Sequence, residues 1–257
     1  MRDPHVVALY YRLETTEALL SFENPPPRED ETALCTFHLA NDRLTCTMKA
    51  HYDSVDKARK EVGCLLRAWE LADALQRGRR EIRFIFQKAQ VIDRDPPPGG
   101  QVYSFHKAAT RDVAGRFSLR AMRPEYPAFP QCFTVSPDVE TLWYRYEGYV
   151  QGREPLLAMA NACLTFLTAQ VRGRENVAKT YAIDLAVLRK LDDFAANLGD
   201  ERTARKFHAW SARREPTAQE AAWIDAAIRM IIHRVGEHTA DPTAPLSKLR
   251  MSDLPPL

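Results

Sequence analysis

The residues best suited to chemistry lie in "RMIIHRVGEH", residues 229–238. Arg229 precedes His233 by four positions, as Arg234 precedes His238, so on a helix each pair shares a face. A guanidinium can stabilise developing charge on a phosphate while an imidazole moves a proton, the division of labour that metal-independent RNA cleavage requires. The plainer alternative is a solvated helix end whose charges suit its dipole. Other reactive side chains are scattered. His38 and Cys46 could approach across an expected hairpin and His51 follows it, but there is no HExxH and no closed cysteine–histidine zinc spacing, so no metal is expected. Glu23, Glu29, Asp30 and Glu31 crowd a proline-rich stretch, where charge aids solubility. No GxGxxG or GxxxxGK[ST] loop follows a strand, so no nucleotide or other cofactor is expected.

Basic residues offer a second kind of chemistry, attraction to phosphate. "RENVAKTYAIDLAVLRKL", residues 174–191, holds Arg174, Lys179, Arg189 and Lys190. "ERTARKFHAWSARRE", residues 201–215, places Arg202, Arg205 and Lys206 beside Phe207 and Trp210. "RGRREIR", residues 77–83, leads into Phe84 and Phe86. Cations interleaved with exposed aromatics bind single strands by charge and stacking, whereas inward aromatics under a solvated charged face bind nothing.

Composition limits these readings. In 257 residues, 36 Lys and Arg face 34 Asp and Glu, for a net charge of +2. That balance gives non-specific nucleic-acid binding no general help. The hydrophobic fraction of 45% is that of a soluble globular protein with one large or two modest cores. Cys35, Cys46, Cys64, Cys132 and Cys163 form no CxxC pair and are odd in number, which suits a reducing cytoplasm. The opening "MRDPHVVALYY" has no signal-peptide pattern, and no apolar run has the length of a membrane span.

Hydrophobic period supplies the elements. "HVVALYY" reads as a first strand, and residues 24–31 as a polar, proline-rich loop. In "TALCTFHLANDRLTCTMKAHY", Leu44, Cys46 and Met48 alternate with polar neighbours, with Asn41 and Asp42 as the hairpin turn. Val55, Ala58, Val62, Leu65, Leu66 and Trp69 then recur at helical spacing to about residue 76, where Gly78 closes the helix. "EIRFIFQKAQVI" returns to strand, and "QVYSF" to a short extended segment after the loop 95–100. Pro124, Pro127, Pro130 and Pro137 mark a break. Beyond it, "DVETLWYRYEGYVQG" and "EPLLAMANACLTFLTAQV" are helices, the second apolar around most of its circumference and so expected at the centre of a bundle, with Pro155 in its first turn. Thr217 and Glu220 form a capping box for a last long helix ending near Gly236. Leu246, Leu249, Met251, Leu254 and Leu257 could anchor the tail.

The expected class is α+β: an N-terminal mixed antiparallel sheet with one covering helix, over residues 1–122, a proline-rich linker at 123–137, an all-α bundle at 138–239 and a tail at 240–257.

Two resemblances bear on function. Residues 174–191 resemble the phage-repressor type of helix-turn-helix, with "ENVAKTY" as first helix, "AID" as turn and "LAVLRKL" opening the second. Ala178, Ile183, Leu188 and Leu191 sit at the spacings that close the pair on a small core, and Asp184 is placed to cap the second helix. Ala182 stands where that family often has glycine. The resemblance implies that the second helix enters the major groove, with Ala186, Arg189 and Lys190 facing DNA and Arg174 and Lys179 on phosphates. The helical region with its arginine–histidine pairs is similar to the HEPN ribonuclease family, whose interval between the two residues is longer than in either short pair here and shorter than from Arg229 to His238. That similarity implies a catalytic arginine and histidine among Arg229, His233, Arg234 and His238.

The expectation is a non-catalytic cytoplasmic binding protein acting through its helical region, with a protein partner, a second copy, DNA or RNA as ligand and no membrane. DNA recognition by 174–191 and ribonuclease activity stand as the alternatives.

Overall fold

A computed structural model describes residues 3–15, 20–95, 103–106, 121–199 and 214–257. The chain divides into two compact units, Met1–Ala74 with Arg80–Pro130, and Leu75–Arg79 with Gln131–Leu257.

The first unit is built on strands β1 (Pro4–Thr15), β3 (Arg28–Glu31), β4 (Cys35–Ala40), β5 (Arg43–Met48), β6 (Ile82–Asp93) and β7 (Tyr103–His106), with β2 (Leu20–Phe22) and β8 (Ala121–Arg123) forming a separate parallel pair. Among the described residues the main sheet runs β3-β4-β5-β1-β6-β7, each neighbour antiparallel. The β4–β5 turn has Asn41 and Asp42 both at positive φ, +50° and +56°, the handedness that matches a hairpin's twist. Period two sends Cys35, Phe37 and Leu39 inward from β4, and Leu44, Cys46 and Met48 from β5. In β1 the inward set is Val6, Leu9, Tyr11 and Leu13, and a register shift between Val6 and Ala8 accounts for the break in alternation. Residues 28–31, read above as loop, are instead the edge strand β3. Its "REDE" has no apolar alternation to reveal it, and its acids discourage pairing with another chain.

Helix α1 (Val55–Arg77) covers this sheet with Ala58, Val62, Leu66 and Trp69. The Trp69 ring lies 5.1 Å from Phe84 and 5.3 Å from Phe129, and its Nε1 donates to the Pro127 carbonyl at 3.2 Å. The proline-rich stretch therefore begins as part of this core: Tyr126 and Phe129 are buried in it, and the Tyr126 hydroxyl takes the Asp42 amide at 2.9 Å.

The second unit holds α2 (Pro137–Val150), α3 (Leu156–Gln170), α4 (Arg174–Thr180), α5 (Leu185–Asn197) and α6 (Ala218–Ala240). α3 touches all four others. It buries Leu157, Met159, Ala160, Cys163, Leu164 and Leu167 but leaves Thr165, Ala169 and Gln170 exposed, so it is central without being encircled. Pro155 is its N-cap rather than a residue of its first turn. The capping box at Thr217 and Glu220 is formed, with Arg214 also bridging both Glu220 oxygens at 2.6 Å. α6 runs through Gly236 to Ala240. Glycine is needed there for space rather than as a stop: its carbonyl accepts from the Thr134 amide at 3.1 Å, and a Cβ would overlap the Phe133 ring. Gly236→Ala is expected to lower the stability of this unit by about 1–3 kcal/mol through overpacking. Thermal unfolding checks it, and adding Phe133→Leu should recover part of the loss.

Candidate nucleic-acid interface

The segment 174–191 folds as two helices joined at Ala182. Val177, Tyr181, Ile183, Val187, Leu188 and Leu191 are buried between α4, α5 and the rest of the unit. Ala182 takes φ +50°, the left-handed region where alanine is costlier than glycine. Asp184 caps α5 by accepting from the Ala186 amide at 3.1 Å, and that amide, with Lys248 and Arg250 near by, holds its carboxyl below the ordinary range.

The outward side of the pair is open. Ala186, Arg189 and Lys179 are exposed, while Arg174 and Lys190 are half-buried. Arg174 is paired with Asp192 at 2.9 Å, and Lys190 with Asp193 at 3.6 Å while lying over the Phe194 ring. Among the described residues, Arg189 and Lys179 have no acidic partner. The four basic residues expected here thus fall into two classes, and only Arg189 and Lys179 present unneutralised charge.

The tail completes the turn. Leu249 forms a parallel bridge with Ile183: the Asp184 amide donates to the Leu249 carbonyl at 2.8 Å, and the Leu249 amide to the Ala182 carbonyl at 2.8 Å. Leu249 and Leu254 are buried, whereas Met251 and Leu257 of the expected anchors are exposed. Lys248 Nζ stands 3.5 Å from Asp184 Oδ2. Leu249 has the right residue type for an anchor, but nothing in its spacing names Ile183 as its partner.

The arginine–histidine residues sit elsewhere on the unit. Arg229, His233, Arg234 and Glu237 line one concavity of about 420 Å³ with Leu75, Gln76 and Met230. His238 is not among its lining residues, and its ring meets Tyr181 edge-on at 5.4 Å. Arg229 donates from Nε to Asp225 at 2.9 Å and from Nη1 to the Leu75 and Gln76 carbonyls at 3.0 and 3.2 Å, satisfying the open end of α1. Arg234 holds Glu237 at 2.6 Å and Ser247 at 2.9 Å. His233 faces Glu237 at 3.5 Å, and its ring meets Phe133 at a tilt with centroids 5.2 Å apart. Burial works to raise the Glu237 carboxyl, but His233 and Arg234 outweigh it and the group lies below its ordinary value. Each guanidinium is thus already neutralised by a carboxylate, an arrangement suited to holding helices rather than to receiving a phosphate.

Arg202, Arg205 and Lys206 lie outside the described residues. Phe84 and Phe86 are not free to stack on bases: Phe84 is buried against Trp69, and Phe86 lies beneath Arg59 at 4.0 Å. In the first unit His5 and His51 stack, their Nδ1 atoms 3.2 Å apart, with Arg94 Nη1 3.3 Å from His51. Among the described residues no group of three or more His, Cys, Asp and Glu side chains is placed to hold a metal ion, and no helix is long and apolar enough to cross a membrane. Comparison with family models, curated proteins and solved structures gives no match to this chain.

Proposed function

We propose that the protein works by non-catalytic binding through its second unit, and that the ligand of the α4–α5 pair is duplex DNA. The observation that carries this reading is the partition of side chains on the pair. Val177, Tyr181, Ile183, Val187, Leu188 and Leu191 are used in packing, while Arg189 and Lys179 stand exposed and unneutralised on the outside. A helix presented in this way fits the major groove, where Arg189 has the reach to read a guanine edge and Lys179 to meet a phosphate. Asp192 and Asp193 temper the field by engaging Arg174 and Lys190, so the interface relies on few cations and the slope of log affinity against log salt should be shallow.

The test is fluorescence anisotropy of labelled duplexes at low salt. The wild-type chain should bind, and the Arg189→Ala, Lys179→Ala double variant should bind about tenfold or more weakly, as the loss of roughly 1–3 kcal/mol at a base contact implies. Duplexes left free at low salt by the wild-type chain would remove the reading and leave a protein partner as the ligand to seek. Ribonuclease activity has one observation in its favour, the concavity shared by Arg229, His233 and Arg234. RNA that stays intact at high protein concentration ends that alternative.

A further inference from the structure

We infer that Lys248 and Arg250 belong to the same DNA-contacting surface as α5, as phosphate contacts that the tail holds beside the helix-turn-helix turn. The inference rests on the DNA reading and extends it to residues outside the two helices.

The backbone fixes their place. Two hydrogen bonds tie Leu249 to Ala182 and Asp184, so the tail has one register against the turn. Extended chain sends successive side chains to opposite sides. Leu249 is fully buried, and its neighbours Lys248 and Arg250 are both exposed. The following residues pin the segment from the other direction: the Arg250 amide donates to Asp253 Oδ2 at 2.8 Å, and Leu254 is buried. The two cations therefore project from a backbone anchored on both sides, and ordering it for a ligand carries little further entropic cost.

Charge points the same way. The start of α5 carries Asp184, whose carboxylate would repel a phosphate. Lys248 faces that carboxylate at 3.5 Å and offsets it, and Arg250 has no salt bridge among the described residues, so with Asp253 counted the two tail cations balance the two acids and leave no net repulsion of a phosphate. In a helix-turn-helix complex the residues opening the second helix approach the base edges, and cations flanking that end meet the backbone on either side of the groove. Lys248 and Arg250 flank it.

The experiment compares the wild-type chain with the Lys248→Gln, Arg250→Gln double variant on the same labelled duplexes across a salt series. Each phosphate contact contributes about 0.9 to the slope of log affinity against log salt, so the variant's slope should be shallower by about 2. Affinity should fall about tenfold at moderate salt, and preference among duplex sequences should not change, because phosphate contacts carry no sequence information. The charge-preserving pair Lys248→Arg, Arg250→Lys should keep the wild-type slope, which separates lost charge from a disturbed tail. An unchanged slope in the glutamine variant, with binding still weakened by Arg189→Ala, overturns this inference and leaves the DNA reading standing. A wild-type chain that binds no duplex overturns both.

Discussion

Arg123→Met is expected to destabilise the first unit by about 3–5 kcal/mol, the range for removing one partner from a buried ion pair. Arg123 ends β8 with its side chain only 9% exposed. Its Nη1 lies 3.3 Å from Asp73 Oδ1, and its Nη2 pairs with Glu81. The partners are equally deep, the Asp73 side chain 2% and the Glu81 side chain 10% exposed. Methionine would fill most of the volume but leave two carboxylates in a low-dielectric interior without this cation. Near by, burial raises the Glu70 carboxyl above its ordinary value although the Phe84 amide donates to it at 2.8 Å. Glu70 therefore favours the folded state at low pH, and that contribution is lost as pH rises from its ordinary value through its raised one. Urea unfolding of the variant at neutral pH measures the effect. A loss below about 1 kcal/mol would show that the remaining neighbours already satisfy both acids.

Leu249→Ala should cost the second unit about 2–5 kcal/mol, as other buried leucine truncations do. Leu249 is fully buried, and its backbone takes part in both hydrogen bonds to the turn. A looser tail would also withdraw support from Ala182, which holds φ +50° without the freedom of a glycine. Met251→Ala, at a side chain 36% exposed two residues on, is the control and should change little. Thermal unfolding compares them, and equal midpoints for the two variants would mean the bridge contributes nothing beyond its neighbours.

What could be read from the sequence was local. Asn41 and Asp42 marked their turn because both tolerate positive φ, and Thr217 with Glu220 marked the start of α6 because a capping box lies within four positions. The α4–α5 pair, with its Asp184 cap, was legible for the same reason. What escaped depended on partners distant in sequence. "REDE" becomes a strand because β4 offers an edge, not because its residues favour one. Tyr126 and Phe129 looked like linker among prolines until Trp69 and Asp42 were placed against them. Arg229 shares a helical face with His233, but the carbonyls it satisfies belong to Leu75 and Gln76, and no periodicity within 229–238 points to them. At the candidate interface the identities of Arg189 and Lys179 were legible, whereas their freedom from carboxylates and the proximity of Lys248 were not.

The bridge between Ile183 and Leu249 also sets an order of events at the ribosome. α4 and α5 can emerge and coil while the amide of Asp184 and the carbonyl of Ala182 still face water, because their strand partner Leu249 comes later in the chain. The two hydrogen bonds to the turn can form only once residue 249 has left the exit tunnel, so a nascent chain stalled before that point carries α5 without this backbone support.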